Sequence, residues 1–215
     1  MTPLPSPLPA NIPRSTFLYT CSNHGGPWND YNRNWTVAKP SIKRLIDELD
    51  LTILVVGRSL TGPDDADLRL YLDSGRLVSR PFAPWGRFLH LVEESRALWT
   101  PNVADGSPRV LTQALCKDVP IIVNQHIAGG WKYVTDQSGV FFSDESDIVP
   151  AVRRLFSDDV QKLLAPRQYY VDNYGPVKAG LHVQAFLELT VGEERLARAR
   201  ALVSDPYYER GVFGR

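Results

Sequence analysis

Residue types suited to a phosphate-bearing ligand concentrate between Asn102 and Leu115, in the run Asn-Val-Ala-Asp-Gly-Ser-Pro-Arg-Val-Leu-Thr-Gln-Ala-Leu. Ser107 followed by Pro108 reads as a helix N-cap followed by a first-turn proline. Unpaired N–H groups at the front of such a helix, together with its dipole, favour an anion such as a diphosphate. Arg109 falls in the first turn, where a cation is unfavourable for the helix and an incoming phosphate would offset the cost. The local residues fit equally well a surface arginine on an ordinary capped helix.

The elements that would carry this segment alternate between strand and helix. Strands are predicted at Ser15–Cys21, Thr52–Val56, Leu77–Ser79, Ala97–Thr100, Pro120–Asn124 and Gly139–Phe142. Thr-Ile-Leu-Val-Val at 52–56 is a continuous apolar run, as expected for a parallel strand buried on both faces. Helices are predicted at Trp35–Leu49, Leu68–Leu72, Pro84–Ser95, Ser107–Cys116, Gly129–Val134 and Ser146–Phe156, with a loop over Ser22–Asn34. The last of these helices turns Ile148, Val149, Val152 and Leu155 to one face. Helical stretches without strands follow.

The expected fold class is α/β, a single Rossmann-like doubly wound parallel sheet of about six strands with a helical C-terminal extension. The expected organisation is a proline-rich arm (1–14), a nucleotide-sugar-binding domain (15–156), and a helical extension (157–215) packed on that domain. With a strand order of 3-2-1-4-5-6, the switch point lies between the first and fourth strands. The loops at that edge, Ser22–Asn34 and Asn102–Ser107, are the most polar and glycine-bearing in the chain.

Several segments resemble one family. Asp105 and Gln113 are separated by seven intervening residues; Ala114-Leu115, Val119-Pro120-Ile121-Ile122, Gly129-Gly130, Tyr133-Val134 and Gly139-Val140-Phe141-Phe142 follow in order. This pattern is similar to the C-terminal, donor-binding domain of retaining, metal-independent glycosyltransferases of the GT-B architecture (glycosyl transferases group 1). The resemblance covers residues 15–156, most closely from Trp99 onward. It implies that a nucleoside diphosphate sugar is the co-substrate, with no separate cofactor and no metal.

The resemblance also implies roles. Asp105 stands where the family has a glutamate that contacts the donor sugar, and Gln113 where a second glutamate binds the ribose hydroxyls. Aspartate is one methylene shorter, and glutamine keeps an acceptor oxygen but loses the charge. Ser22-Asn23 replaces the family's Gly-Arg pair. Arg33, in Arg33-Asn34-Trp35, stands for its phosphate-binding lysine, since a guanidinium grips phosphate bidentately. Gly25 and Gly26 suit close backbone approach to the ligand or plain loop flexibility. Phe82 would stack on the nucleobase or lie in the core. Gly129 and Gly130 would offer amides to a phosphate or sugar hydroxyl. Lys132 departs from an acidic residue in the family, and His126 reads as structural.

Composition narrows the other classes. Lys+Arg and Asp+Glu number 24 each, giving no net field toward nucleic acid or an anionic membrane. No apolar run reaches the ~20 residues of a membrane span. Cys21 and Cys116 read as buried free thiols of a reducing compartment, and no secretory pattern precedes them, so a cytoplasmic location is expected. Asp65-Ala66-Asp67 spells D-x-D but reads as a solvated helix start. The histidines show no metal-ligand spacing with the cysteines. Phosphate-loop, dinucleotide and hydrolase-elbow glycine motifs do not occur. Family members have two such domains with the active site between them. A missing N-terminal acceptor domain or a partner subunit is therefore expected to complete the cleft; the alternative is a non-catalytic nucleotide-sugar-binding or scaffolding protein.

Overall fold

A computed structural model describes residues 16–20 and 27–203. Six parallel strands form one sheet in the order β3-β2-β1-β4-β5-β6. They are β1 (Thr16–Thr20), β2 (Thr52–Val56), β3 (Leu77–Arg80), β4 (Ala97–Thr100), β5 (Ile121–Asn124) and β6 (Gly139–Phe142). The sheet is the doubly wound one anticipated, with the order reversing between β1 and β4. Of the four interior strands, β2, β4 and β5 are buried at every position. That explains their unbroken apolar sequences, since crossover helices cover both faces of a parallel sheet.

The crossover helices are α1 (Pro27–Asn32), α2 (Trp35–Leu49), α3 (Arg69–Asp73), α4 (Trp85–Glu93), α5 (Arg109–Cys116) and α6 (Ile148–Leu155). Then follow α7 (Asp158–Leu163), α8 (Pro166–Tyr174), α9 (Pro176–Val191) and α10 (Glu193–Val203). The chain divides into two compact units, residues 1–170 and 171–215. The first contains the whole sheet. In the second, α9 and α10 pack on each other across Gly192, whose φ of 82° suits glycine.

Helix α2 has the predicted bounds. It buries Ala38, Ile42, Leu45 and Ile46 beside the sheet. At the centre of the core Tyr19 meets Trp35 and Trp99, and Trp99 meets Phe142, with centroid separations of 5.9, 5.4 and 6.2 Å. These side chains come from β1, α2, β4 and β6, so the aromatic cluster ties together the elements flanking the switch point. Ile148, Val149, Val152 and Leu155 of α6 are buried together as the periodicity requires.

Several local expectations are corrected. The loop expected over Ser22–Asn34 contains α1; residues 21–26 lie outside the described set, so Ser22, Asn23, Gly25 and Gly26 cannot be placed. Residues 68–72 straddle a 3₁₀ turn, Pro63–Leu68, and the start of α3. The helix expected over Gly129–Val134 is a 3₁₀ turn at Trp131–Tyr133. Asp65 is 4% exposed and not solvated. Asp67 pairs with Lys39 and Lys43 of α2. Cys116 is exposed rather than buried, at the end of α5, and Cys21 falls outside the described residues.

Helix α5 begins two residues later than expected. Pro108, not Ser107, occupies the N-cap position, with φ −69° and ψ 95°. The physical reason is upstream: the Ser107 N–H donates to Asp105 Oδ1 at 3.3 Å, closing a side-chain turn that uses Ser107 before the helix starts.

Candidate functional site

The carboxyl edge of the sheet gathers many of the singled-out residues. Asn34, at φ 50° and ψ 52°, takes the left-handed conformation that asparagine tolerates, separating α1 from α2. Arg33 sits in that turn. Its carbonyl accepts from Tyr19 Oη at 3.2 Å, so the core aromatic of β1 anchors the turn from beneath. The Val103 N–H donates to Asn32 O at 3.0 Å, fastening the α1 corner to the loop after β4.

The guanidinium of Arg33 therefore meets Asp105. Arg33 Nη1 lies 3.4 Å from Asp105 Oδ2, with the side chains 27% and 25% exposed. Asn102 Nδ2 donates to the same oxygen at 3.4 Å. All three contacts to the Asp105 carboxylate are long, and the arginine contact is single-pronged.

The loop after β5 lies against this one. The Ala128 N–H donates to Val103 O at 3.0 Å and the Gly129 N–H to Asp105 O at 3.1 Å. A Cβ on Gly129 would stand 1.8 Å from Gly106 O, so only glycine permits this backbone approach. A Cβ on Gly130 would stand 2.9 to 3.0 Å from Leu111, Ile127 and Pro108. The glycine pair thus has a packing role, and the Gly129 amide is committed to protein.

Of the amides at the front of α5, Ser107 is spent on Asp105, Pro108 has none, and the Leu111 N–H returns to Pro108 O. Among the described residues the Arg109 and Val110 amides keep no backbone acceptor, and the Arg109 side chain is exposed. Ser107 is exposed beside them, and Gln113 is half-buried one turn further along α5. Fewer amides are therefore free at the front of α5 than the sequence implied.

Phe82 follows β3 and is 61% exposed, which removes the core alternative. It is not brought into contact with the α5 group; three strand spacings separate β3 from β4, about 14 Å at the usual interstrand distance. His126 is exposed, its backbone N–H held by Asn124 Oδ1 at 2.9 Å. The Lys132 ammonium lies 5.1 Å from the Tyr133 ring centroid. Among the described residues no group of acidic, histidine or cysteine side chains gathers as a metal site.

Features that sequence reading missed also lie at this edge. Arg58, just beyond β2, stacks over Trp35 at 4.0 Å and pairs with Asp30 of α1. A glycine-arginine pair directly after an apolar strand was its available signal. Among the described residues eight buried side-chain polar atoms have no protein hydrogen-bond partner, and four of them lie on residues at the switch point: Asn32 Oδ1, Arg33 Nε, Thr100 Oγ1 and Asn102 Oδ1. Asn102 is fully buried, and its amide nitrogen is already committed to Asp105, which fixes the orphan atom as the oxygen. Exposed aromatics rim the same edge: Trp28 and Tyr31 on α1, Phe82 and Trp85 after β3, and Trp131 after β5.

No family model and no curated protein matches the sequence. Solved structures do. A UDP-forming trehalose-phosphate synthase from Burkholderia xenovorans superposes with a TM-score of 0.58 at 9% identity, covering 80% of this chain and 43% of that one. The lipopolysaccharide outer core galactosyltransferase WaaB gives 0.57 at 17% identity, covering 80% and 48%. The GtfA/B complex gives 0.57 at 13% identity, covering 84% and 37%. The fold is that of a GT-B glycosyltransferase domain. The chain spans less than half the length of each of those three chains. Among the described residues no helix is long and apolar enough to cross a membrane.

Proposed function

We propose that this GT-B domain is the donor-binding half of a metal-independent glycosyltransferase. It would move a hexosyl or pentosyl group from a nucleoside diphosphate sugar to an acceptor. The observation that carries the reading is the cluster of unpartnered buried polar atoms on Asn32, Arg33, Thr100 and Asn102. It lies at the switch point of the sheet, where ligands of doubly wound folds bind. A polar ligand with both hydroxyl and anionic groups would use those donors and acceptors together.

In this reading the diphosphate lies over the first turn of α5, against the Arg109 and Val110 amides, with the Arg109 and Arg33 guanidinium groups on either side. Ser107 supplies a hydroxyl to the same phosphates. Asp105 faces the sugar, Gln113 the ribose, and Phe82 the base at the far end of an extended nucleotide. Gly129 and Gly130 shape the wall rather than donate. The chemical work assigned to these groups is stabilisation of the departing diphosphate, an electrostatic task that fixed amides and guanidinium groups perform without reorganisation. A partner subunit or a separate acceptor domain would complete the cleft. The Arg33–Asp105 pair favours a second reading, a nucleotide-sugar-binding or scaffolding protein, because it makes two of the site's charges satisfy each other.

The test is calorimetric titration with nucleoside diphosphates and their sugar conjugates, followed by an assay for donor hydrolysis. Binding is expected, and Arg109→Ala is expected to weaken it by roughly 1.5–3 kcal/mol, as for a charge-assisted contact. Binding without turnover favours the scaffolding reading. No binding at millimolar nucleotide rejects both.

A further inference from the structure

Resting on the nucleotide-sugar reading, we propose that Asp105 is the seat's built-in competitor for phosphate, so that the site discriminates a diphosphate sugar from a bare diphosphate. Arg33 sits in the turn between α1 and α2, and its charge is already answered by the Asp105 carboxylate 3.4 Å away. An incoming phosphate must displace Asp105 to engage Arg33. The displacement is feasible because the contact is long and single-pronged, while Arg33 Nε stays buried and unpartnered, available to a second oxygen.

The displaced carboxylate then needs hydrogen-bond donors. It keeps Asn102 Nδ2 and the Ser107 N–H at 3.4 and 3.3 Å, both marginal. The unpartnered side-chain oxygens of Asn32 and Asn102, on the segments that flank it, are acceptors as well. The floor at this point is therefore rich in acceptors, and a ligand group carrying several hydroxyls complements it. A sugar supplies those hydroxyls. A bare diphosphate supplies none and meets the Asp105 charge unscreened. Asp105 is thus a specificity-determining residue that acts by repulsion of the incomplete ligand as much as by attraction of the complete one.

The experiment compares the full chain with Asp105→Asn by calorimetry at low salt, using inorganic pyrophosphate, uridine diphosphate and uridine diphosphate glucose. Asparagine keeps an oxygen for the Ser107 N–H, and a thermal melt checks folding; Asp105→Ser serves should Asp105→Asn not fold. Removing one negative charge a few ångströms from the bound phosphates is expected to tighten pyrophosphate roughly tenfold. The preference for the sugar conjugate over the free diphosphate is expected to shrink together with it. Adding Arg33→Gln to Asp105→Asn should abolish the gain. Unchanged or weaker pyrophosphate binding in both Asp105 variants overturns the proposal. A pyrophosphate gain with no nucleotide binding to either protein keeps the ion-pair competition and defeats the donor reading. Equal nucleotide binding without a pyrophosphate gain does the reverse.

Discussion

Gly129→Ala tests whether the loops after β4 and β5 interlock. The new methyl carbon would lie 1.8 Å from Gly106 O, 2.4 Å from Gly106 C and 2.8 Å from Gly106 Cα. All three are backbone atoms, so no side-chain rotation relieves the clash. An ordinary carbon–oxygen contact needs about 3.3 Å, so the loops must part by roughly 1.5 Å. That displacement breaks Gly129 N–H to Asp105 O and Ala128 N–H to Val103 O, each worth about 1 kcal/mol net. Overpacking adds about 1–3 kcal/mol. A loss of about 3 kcal/mol lowers Tm by about 6–12 °C in a chain of this size. Differential scanning calorimetry measures it. Gly106→Ala is the control, because a Cβ there meets nothing within 4 Å. A Gly129→Ala protein that melts like the parent and binds nucleotide with the parent's affinity would refute the interlock and the site geometry built on it.

Two further outcomes are expected. The Lys39 and then the Lys43 ammonium beside Asp67 hold its carboxyl down to about 2, below the usual 3.8. The pair therefore contributes fully above pH 4 and is lost as pH falls through about 2. Half-exposure limits it to about 0.5–1 kcal/mol, so denaturation of Asp67→Asn should show that deficit at pH 6 and only a small remnant of it near pH 2. Arg58→Ala removes a guanidinium stacked at 4.0 Å over Trp35 and paired with Asp30; a cost of about 1–2 kcal/mol in urea denaturation is expected, with Arg58→Lys intermediate.

What could be read from the residues divides along physical lines. The strands were legible because burial on both faces forces continuous apolar runs, as in Thr52–Val56 and Ile121–Asn124. Helix α2 was legible because one face alone is buried. Helix α1 was not: Pro-Trp-Asn-Asp-Tyr-Asn buries no residue, so it carries no period to detect. The start of α5 was misplaced because the capping preference of Ser107 lost to a turn closed by Asp105, a competition between two local hydrogen bonds. Arg33 and Asp105 were each nominated from position, yet nothing in their separation of 72 residues announces that they touch. The orphan oxygens of Asn32 and Asn102 depend on what surrounds them in space, which spacing along the chain does not encode.

The distribution of indoles has a practical consequence. Of the five tryptophans, Trp35 and Trp99 are enclosed at 8% and 0% exposure, whereas Trp28, Trp85 and Trp131 stand 69%, 69% and 58% exposed along one rim. Emission from the first pair reports the integrity of the interior. Emission from the other three is sensitive to anything that settles on that rim, by quenching or by a change in the polarity they feel. The chain thus carries two optical reporters of different colour, one for folding and one for occupancy, with no label attached.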